Sequence, residues 1–310
     1  MTSEVMFNIT GFIIEGFADI SELHIQLFII FLLIYIFIIS ANLTIVVVIW
    51  KNPHLHTPMY MFLVNLSFID ISLTTNVLPK LLAMLCTGTK TISFLGCITQ
   101  MYLYVSLSVS EIILLGFMAY DRYVAICHPL RYVVLMPLKK SSMLSIISWF
   151  GGFADPIGHT LLISRMSFCS FHVIDHFFCD VNPLLFISCT DASNVELLNY
   201  IEGAFLGIGM CLLTVISYGF IIGTIMKLKS SESRRKAFST CTAHLTCVIV
   251  FYGTLICLYI RPSSSYSPKQ DKYFSLLNLV FVPLLNPIIY SLKNEDIKNV
   301  LIGQTKKSKE

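Results

Sequence analysis

The sequence LFIIFLLIYIFIISANLTIVVVI, residues 27–49, decides the fold class of this 310-residue chain. It contains no charged residue, and a helix needs about 20 mostly apolar residues to cross a lipid bilayer. The whole chain is 55% hydrophobic and only 13% charged, whereas a soluble domain usually carries about 25% charged residues. One globular core would not bury so much apolar surface. We therefore expect an integral membrane protein.

Further apolar stretches follow, and we interpret them as membrane spans at 58–82, 97–127, 142–163, 197–226, 237–260 and 272–292. Together with 27–49 they predict an all-α membrane protein, a seven-transmembrane helix bundle, with a short amphipathic helix after the seventh span. The fourth span has the weakest apolar pattern, because Gly151, Gly152, Asp155 and Pro156 interrupt it.

Basic residues predict the orientation of the bundle, because loops on the cytosolic side are enriched in Lys and Arg. With the amino terminus outside, 15 of the 21 Lys and Arg residues lie on the cytosolic side and 6 on the outer side. We therefore expect an extracellular tail at 1–26, a seven-transmembrane domain at 27–292 with a long extracellular loop at about 164–196, and a cytosolic tail at 293–310. Residues 1–22 contain four acids and no Lys or Arg, unlike a cleavable signal peptide, so the first span should be an uncleaved anchor. Asn8 begins a glycosylation sequon in the outer tail.

The ten cysteines divide by compartment. Cys97, Cys169, Cys179 and Cys189 fall on the predicted outer side, where an oxidising environment favours disulfides and four cysteines allow three pairings. The other six lie in or near spans and should be reduced, small hydrophobic residues. A metal site formed by Cys179 with His172 and His176 is the alternative, and we expect no metal because disulfides explain these cysteines better.

Ionisable residues within spans are costly and usually face the bundle interior. Asp70 and Glu111 both fall near the middle of their helices. Two carboxylates brought together repel, so either one keeps its proton or a cation lies between them, with Asn42 and Asn286 as neutral partners. A hydrogen-bonded polar cluster that fixes helix packing explains these residues equally well.

Asp121-Arg122-Tyr123 lies at the cytosolic end of the third span. The Arg122 side chain is long enough to bend back to Asp121, and such an ion pair could hold a resting state and then release the guanidinium to a partner. An arginine that merely extends to the membrane surface is the alternative.

Longer motifs surround these residues, in order along the chain: LHTPMY at 55–60, MAYDRYVAIC at 118–127, SY at 217–218, KAFSTCTAHL at 236–245 and PLLNPIIYSL at 283–292. Together they resemble the olfactory receptors, a family of rhodopsin-like G protein-coupled receptors, over about residues 42–300. The segment HFFCD at 176–180 resembles the tetrapod-type subgroup, whose ligands are small, hydrophobic volatiles. Ser40-Ala41-Asn42 and Thr242-Ala243-His244 depart slightly from the family pattern, and the family offers no role for Asp155.

The resemblance implies disulfides from Cys97 to Cys179 and from Cys169 to Cys189. It also implies an odorant receptor, not an enzyme and without a cofactor, in the plasma membrane of olfactory cilia. Its partners would be a volatile odorant, membrane lipid and a stimulatory, olfactory-type G protein that raises cyclic AMP. The residues that the resemblance assigns to G protein coupling and the activation switch are Asp121, Arg122, Tyr123, Tyr218, Asn286, Pro287 and Tyr290. The basic cluster Arg234-Arg235-Lys236 would contact the G protein, anionic lipid, or both.

A ligand with few polar groups should bind an apolar cavity through buried area. Family geometry turns a stripe on the third span inward, opposite the fifth and sixth spans. The expected ligand-binding residues are Tyr104, Val105, Ser108, Val109, Ile112, Glu202, Leu206, Tyr252, Leu255, Ile256 and Tyr259. Ordinary helix packing is the alternative for each one. Ser108, Glu202 and Tyr259 are the best candidates for hydrogen bonds to a ligand.

Other classes of protein fit less well. A membrane enzyme should show His, Asp or Cys at catalytic spacing beyond these motifs, and a transporter should show inverted repeats; neither pattern is present in the sequence. A non-olfactory rhodopsin-like receptor for another small ligand is the closest rival. An amine receptor of that class would have an acid near position 104, where this chain has Tyr104.

Overall fold

A computed structural model describes residues 11–17, 23–168, 172–227, 230–259, 267–293 and 295–301. At positions 233, 235–243, 259, 290–293, 295, 296 and 301 it describes the backbone alone. The predicted glycosylation site Asn8 lies outside the described residues.

The first three spans are single helices, α1 (His24–Lys51), α2 (Pro58–Thr87) and α3 (Phe94–Cys127). Each extends a few residues beyond the apolar stretch that predicted it. A 3₁₀ turn at Pro53–Leu55 joins α1 to α2. The Ser93 hydroxyl caps α3 by accepting a hydrogen bond from the Gly96 N–H at 3.1 Å.

The fourth span is broken where the sequence pattern was weakest. After a 3₁₀ turn at Pro129–Arg131 and the short helix α4 (Tyr132–Leu135), it consists of α5 (Leu138–Ala154) and α6 (Ile157–Ile163). The break contains Pro156, which has no backbone N–H to continue the helix. Asp155 therefore lies at a helix end inside the bundle.

The fifth and seventh spans each contain a π-helical segment. The fifth runs through α8 (Ser193–Glu202), a π segment (Gly203–Ile208) and α9 (Gly209–Met226). The sixth is α10 (Ser231–Tyr259). The seventh runs through α11 (Pro268–Leu276), a π segment (Leu277–Phe281) and α12 (Val282–Lys293), and α13 (Glu295–Leu301) follows at the position of the predicted short helix.

These helices form a seven-helix membrane bundle. By length and composition, five spans are apolar enough to cross a membrane, and the bent fourth span makes six. In the sixth, the stretch whose side chains the structure describes, His244–Leu258, is apolar. Large apolar side chains such as Leu33, Phe150 and Phe205 are exposed on the outside of the bundle, as expected for a protein solvated by lipid.

Close backbone contact joins the third and fourth spans. A Cβ atom on Gly152 would lie 2.0 Å from Ser110 Oγ and 2.5 Å from the Ser106 carbonyl oxygen. Only glycine fits there, and small residues commonly allow such close approach between membrane helices. Polar groups such as Ser106 and Ser110 are fully buried in α3, so α3 lies at the centre of the bundle.

A small sheet covers one end of the bundle, which we call the Cys97 end because α3 begins there. It has the order β2–β1–β3, with β1 (Gly11–Ile14) antiparallel to β2 (Thr91–Ser93) and parallel to β3 (Val173–Ile174). The all-α prediction did not include this sheet, because strands of two to four residues leave no periodic pattern. The short helix α7 (Val181–Phe186) follows β3 in the same loop.

Candidate functional site

A cavity of about 200 Å³ lies among the third, fourth, fifth and sixth spans. Nine of the eleven residues predicted to bind a ligand line it: Val105, Ser108, Val109, Ile112, Glu202, Leu206, Tyr252, Leu255 and Ile256. Most of these side chains are apolar. Such a cavity suits a small molecule with few polar groups.

Tyr104 does not line the cavity, although the third-span stripe included it. It is fully buried, its hydroxyl donates to Asn278 Oδ1 at 3.4 Å, and its ring centroid lies 4.7 Å from that of Phe178. Helical rotation therefore turns Tyr104 towards the seventh span and the loop. The side chain of Tyr259, the other remaining prediction, lies outside the described residues.

Nine further residues line the cavity without having been predicted: Asp155, His159, Val181, Asn199, Gly203, Gly207, Ile208, Cys211 and Leu212. The sequence did single out Asp155, because an ionisable residue within a membrane span is energetically costly and usually functional. The glycines and aliphatic residues carried none, since such residues are ordinary anywhere in a membrane helix.

The cavity has one polar end, formed by Asp155, His159, Asn199 and Glu202 from the fourth and fifth spans. His159 is 1% exposed, and its Nδ1 lies 3.1 Å from Glu202 Oε2. That contact is too poorly aligned for a hydrogen bond, so neither ring nitrogen has a hydrogen-bond partner among the described side and main chains. The break at Pro156 places Asp155 one turn before His159 on the same wall.

The π segment of the fifth span opens the cavity. It begins directly after Glu202, and extra residues in such a segment turn the preceding side chains relative to those that follow. Gly203 and Gly207 lie in this segment, and a Cβ atom on either would have no heavy atom within 4 Å. These two glycines therefore leave space that a side chain would fill.

A disulfide between Cys97 and Cys179 closes the Cys97 end of the bundle. The Cys179 N–H donates to Gln100 Oε1 at 3.0 Å, which adds a second tie between the loop and α3. In α7, Val181 lines the cavity and Asn182 donates to the Leu258 carbonyl at 3.1 Å. The loop between the fourth and fifth spans is thus the cover of the cavity.

The other predicted pairing is only partly visible. Cys189 is disulfide-bonded, and its expected partner Cys169 lies outside the described residues. Because Cys179 is bonded to Cys97, it is not available as a metal ligand beside His172 and His176. Among the residues that the structure describes, no three His, Cys, Asp or Glu side chains are placed to hold a metal.

His176 lies in this loop and is fully buried between Phe177 and Phe178. Burial, with a smaller effect from nearby Lys272, lowers the pKa of His176 to about 3. Asp271 Oδ2 lies 3.7 Å from His176 Nε2 and favours the charged ring, but at that distance the cost of desolvation is the larger effect. His176 is therefore a neutral packing residue at neutral pH.

Asp70 and Glu111 lie near the middle of the bundle and are both fully buried. Asn286 Nδ2 donates to both carboxylate oxygens of Asp70, at 3.1 and 3.2 Å. Neither Glu111 oxygen has a hydrogen-bond partner within the described part of the chain. Asn42 donates instead to the carbonyls of Ile38 and Pro283. The predicted cluster is thus present around Asp70, with Asn42 outside its polar contacts.

At the opposite end of α3, which we call the Asp121 end, Arg122 Nε donates to Asp121 Oδ2 at 3.1 Å, and the two form an ion pair. Tyr132 in α4 donates from its hydroxyl to Asp121 Oδ1 at 2.8 Å. Burial raises the pKa of Tyr132, and the charge of Asp121 raises it further, so this hydroxyl stays protonated. Tyr132 was not predicted, because a Tyr in a loop has no distinguishing pattern.

The fifth and sixth spans also meet near this end. The Tyr218 hydroxyl lies 2.6 Å from His244 Nδ1, and both side chains are almost fully buried. Of the other predicted switch residues, Tyr123 pairs with His128 at 3.2 Å and Pro287 lies on the face of α12 next to α1. The side chain of Tyr290 lies outside the described residues.

The family model described as olfactory receptor matches residues 31–307, nearly the whole chain. The chain belongs to the olfactory receptor family. Among its relatives, Olfactory receptor 5AC2 of Homo sapiens is 44% identical over 94% of this chain and 95% of its own length. Olfactory receptor 6B9 of Mus musculus is 43% identical over 96% of this chain and 94% of its own length. Olfactory receptor 5F1 of Homo sapiens is 44% identical, with 97% of this chain and 96% of its own length covered.

This olfactory receptor is accordingly a multi-pass membrane protein of a receptor family that is not enzymatic. The match spans all seven helices, which confirms the family assignment that the ordered motifs predicted. Asp155, for which the family resemblance offered no role, is one of the two carboxylates at the polar end of the cavity.

Proposed function

We propose that this chain is an odorant receptor whose ligand, a small and mostly hydrophobic volatile, binds in the cavity among the third to sixth spans. The bound receptor activates a stimulatory, olfactory-type G protein and so raises cyclic AMP. The observation that carries the proposal is the cavity itself, which lies against the stripe that the sequence predicted for ligand contact. The amino terminus is extracellular, the Cys97 end faces outwards, and Asn8 carries a glycan. The receptor functions in the plasma membrane of olfactory cilia.

Binding strength in such a cavity comes mainly from buried apolar area, about 25 cal/mol per Å². A ligand of few heavy atoms gains about 0.3–1.5 kcal/mol for each of them. Micromolar affinity is the natural result. Val109, Ile112, Leu206 and Leu255 supply the apolar walls, and Ser108 and Glu202 orient the ligand.

Tyr252 connects the cavity to the sixth span. It lines the cavity, and its hydroxyl donates to the Ile112 carbonyl on α3 at 3.4 Å. A ligand that displaces Tyr252 therefore alters the contact between α3 and α10. Nearer the start of α10, His244 contacts Tyr218 of the fifth span. Movement of α10 therefore changes that contact too. The ligand shifts the equilibrium only by the difference in its affinity for the two arrangements.

At the Asp121 end, the resting state is held by the Arg122–Asp121 ion pair and the Tyr132 hydrogen bond. Opening of the sixth span releases the Arg122 guanidinium to the G protein, with Tyr123, Asn286, Pro287 and Tyr290 rearranging around it. The basic cluster at 234–236 borders this face and contacts the G protein and anionic lipid.

Asp70 and Glu111 take part in the same switch. Two buried carboxylates cannot both be charged without compensation, so they share a proton or hold a cation between them. Asn286 already binds Asp70, and movement of the seventh span would alter that contact.

The test is a cyclic AMP assay in cells that express the receptor with an olfactory-type stimulatory G protein, exposed to a broad panel of volatiles. We expect at least one volatile to raise cyclic AMP in a dose-dependent manner. The Arg122→Ala variant, matched for surface expression, should lose that response while ligand binding persists. Normal signalling by that variant would refute the proposed switch. A cyclic AMP response that persists when the G protein is left out would refute the proposed function.

A further inference from the structure

We propose that this cavity selects volatile bases, with the ligand nitrogen held between the carboxyl groups of Asp155 and Glu202 beside His159. The inference rests on the proposed function, since it names the ligand class of the same cavity. It concerns only the polar end, which the fourth and fifth spans form together.

The charges of the lining residues indicate a cationic ligand. Among the residues that line the cavity, Asp155 and Glu202 carry carboxyl groups, His159 carries an imidazole, and no Lys or Arg is present. A protonated His159 can neutralise one carboxylate at most. The second carboxylate then needs a proton or a cation, because a charge that faces an apolar cavity is costly unless it is paired. A protonated amine brings that charge into the cavity.

The geometry of His159 indicates a missing hydrogen-bond partner. It is 1% exposed and reaches Glu202 at 3.1 Å without an aligned hydrogen bond. Asp155 likewise has no side-chain hydrogen bond or ion pair within the described residues. A buried polar group without a partner is unusual in a folded protein. His159 is such a group, and the partly exposed carboxyl groups of Asp155 and Glu202 lie on the same wall. This arrangement indicates that a ligand supplies the missing partner.

The chemistry of the remaining cavity limits the ligand further. An amine N–H donates to carboxylates, and a charged donor makes a stronger hydrogen bond than a neutral one. An alcohol of the same shape brings one donor and no charge. A carboxylic acid would lie beside the two carboxyl groups of the cavity with no Lys or Arg to pair with it, so it should bind poorly. The other walls are apolar, so the nitrogen should carry a compact alkyl or aryl group.

This mode of binding differs from one in which the third span supplies the acid. Tyr104 faces the seventh span and not the cavity, so the third span offers no carboxylate to the ligand. The acids come from the break in the fourth span and the residue that precedes the π segment of the fifth.

The experiment uses three matched sets of volatiles in the cyclic AMP assay with the full-length receptor. They are cyclohexylamine with cyclohexanol and cyclohexanecarboxylic acid; 3-methylbutylamine with 3-methylbutanol and 3-methylbutanoic acid; and 2-phenylethylamine with 2-phenylethanol and phenylacetic acid. The variants are Glu202→Gln and Asp155→Asn, each nearly isosteric. Asp191→Asn removes an exposed carboxylate outside the cavity and serves as the matched control. Surface expression is measured for every variant.

We expect at least one amine to have an EC50 tenfold or more below that of its alcohol, and the acids to be inactive. Glu202→Gln or Asp155→Asn should reduce the advantage of the amine over its alcohol to less than about threefold, because the amide can still form hydrogen bonds but carries no charge, whereas Asp191→Asn should leave the advantage unchanged. The inference is wrong if amines have no advantage, or if the advantage survives both cavity substitutions. Activation by alcohols alone would leave the proposed function standing. If a receptor that reaches the surface gives no cyclic AMP response to the nine compounds or to the broad panel, the result would contradict both the amine selectivity and the proposed function.

Discussion

Gly207 offers the sharpest test of where the ligand binds. It lines the cavity from the π segment of the fifth span, and no heavy atom lies within 4 Å of the position that its Cβ atom would take. Gly207→Val therefore adds three carbon atoms, and the first of them, Cβ, lies in empty space. Valine also has a slightly higher helix propensity than glycine, by a few tenths of a kcal/mol. The receptor should fold as well as before.

The magnitude follows from the atoms that the ligand loses. A ligand that must vacate the space of three heavy atoms gives up about 0.3–1.5 kcal/mol for each, or about 1–4.5 kcal/mol in all. At about 1.4 kcal/mol for each factor of ten, the EC50 should rise roughly 5- to 1,500-fold. The EC50 of smaller volatiles should rise least, because the reduced cavity of the variant still accommodates them.

The assay is a dose–response curve of cyclic AMP for an activating volatile, with surface expression measured in parallel. Gly219→Val is the matched control, because Gly219 lies in the same span, has equally open surroundings and does not line the cavity. It should leave the EC50 unchanged. Equal EC50 values for Gly207→Val and the unmodified receptor would show that the ligand binds elsewhere.

Three other predictions concern the switch and the covering loop. Tyr132→Phe removes a 2.8 Å hydrogen bond to Asp121, of the kind worth about 1.5–3 kcal/mol when one partner is charged. At about 1.4 kcal/mol for each factor of ten, the active fraction without ligand should rise roughly 10- to 150-fold, measured as ligand-independent cyclic AMP up to the maximal response. Replacing both Cys97 and Cys179 with serine removes a disulfide between residues 82 positions apart in the sequence. The free energy of unfolding should fall by about 2–5 kcal/mol, measured as a lower melting temperature of the purified receptor. His176, whose pKa is lowered to about 3, binds no proton in the folded state at pH 5, whereas the unfolded chain does. Stability is thus complete above about pH 6.5 and falls below it by up to about 1.4 kcal/mol per pH unit, which a lower melting temperature at pH 5 than at pH 7 would show.

Each of these predictions has a matched control. Tyr102→Phe removes a hydroxyl that donates to the Phe153 carbonyl, far from Asp121, and should leave basal signalling unchanged. Cys86→Ser replaces a free, exposed cysteine and should leave the melting temperature unchanged. His176→Phe keeps an aromatic ring beside Phe177 and should abolish this residue's share of the pH dependence. For Tyr132 and the disulfide, an equal effect of the control and the test substitution would contradict the prediction. For His176, an unchanged pH dependence in the His176→Phe variant would contradict it.

The sequence was sufficient for the fold because membrane helices must satisfy their own backbone hydrogen bonds and present apolar surface to lipid. The 27–49 stretch alone required a span, and α1 extends only a few residues beyond it. The sheet at the Cys97 end was not predictable, since Phe12 and Ile14 become buried only when distant loops meet them. Gly11 there approaches the Ile92 carbonyl so closely that a Cβ atom would lie 2.3 Å from its oxygen.

The cavity was predictable where one helix presents a regular face. Val105, Ser108, Val109 and Ile112 follow helical spacing on α3, and all four line the cavity. Tyr104 belongs to the same run but lies at the edge of that face, where a small rotation decides which neighbour it meets.

The polar end of the cavity was harder to predict, because it depends on two irregular features that periodicity does not describe. One is the break at Pro156, which orients Asp155 and His159. The other is the π segment after Glu202, which shifts the following residues relative to those before it.

The central claim is that a volatile bound in this cavity turns the chain into an activator of a G protein. The most direct measurement is nucleotide exchange on a purified olfactory-type stimulatory G protein, with the purified receptor in lipid nanodiscs and an activating volatile added. We predict faster exchange with the volatile than without it, and no acceleration by the Arg122→Ala variant. A volatile that binds the receptor, shown by a shift in melting temperature, yet leaves the exchange rate unchanged would contradict the account.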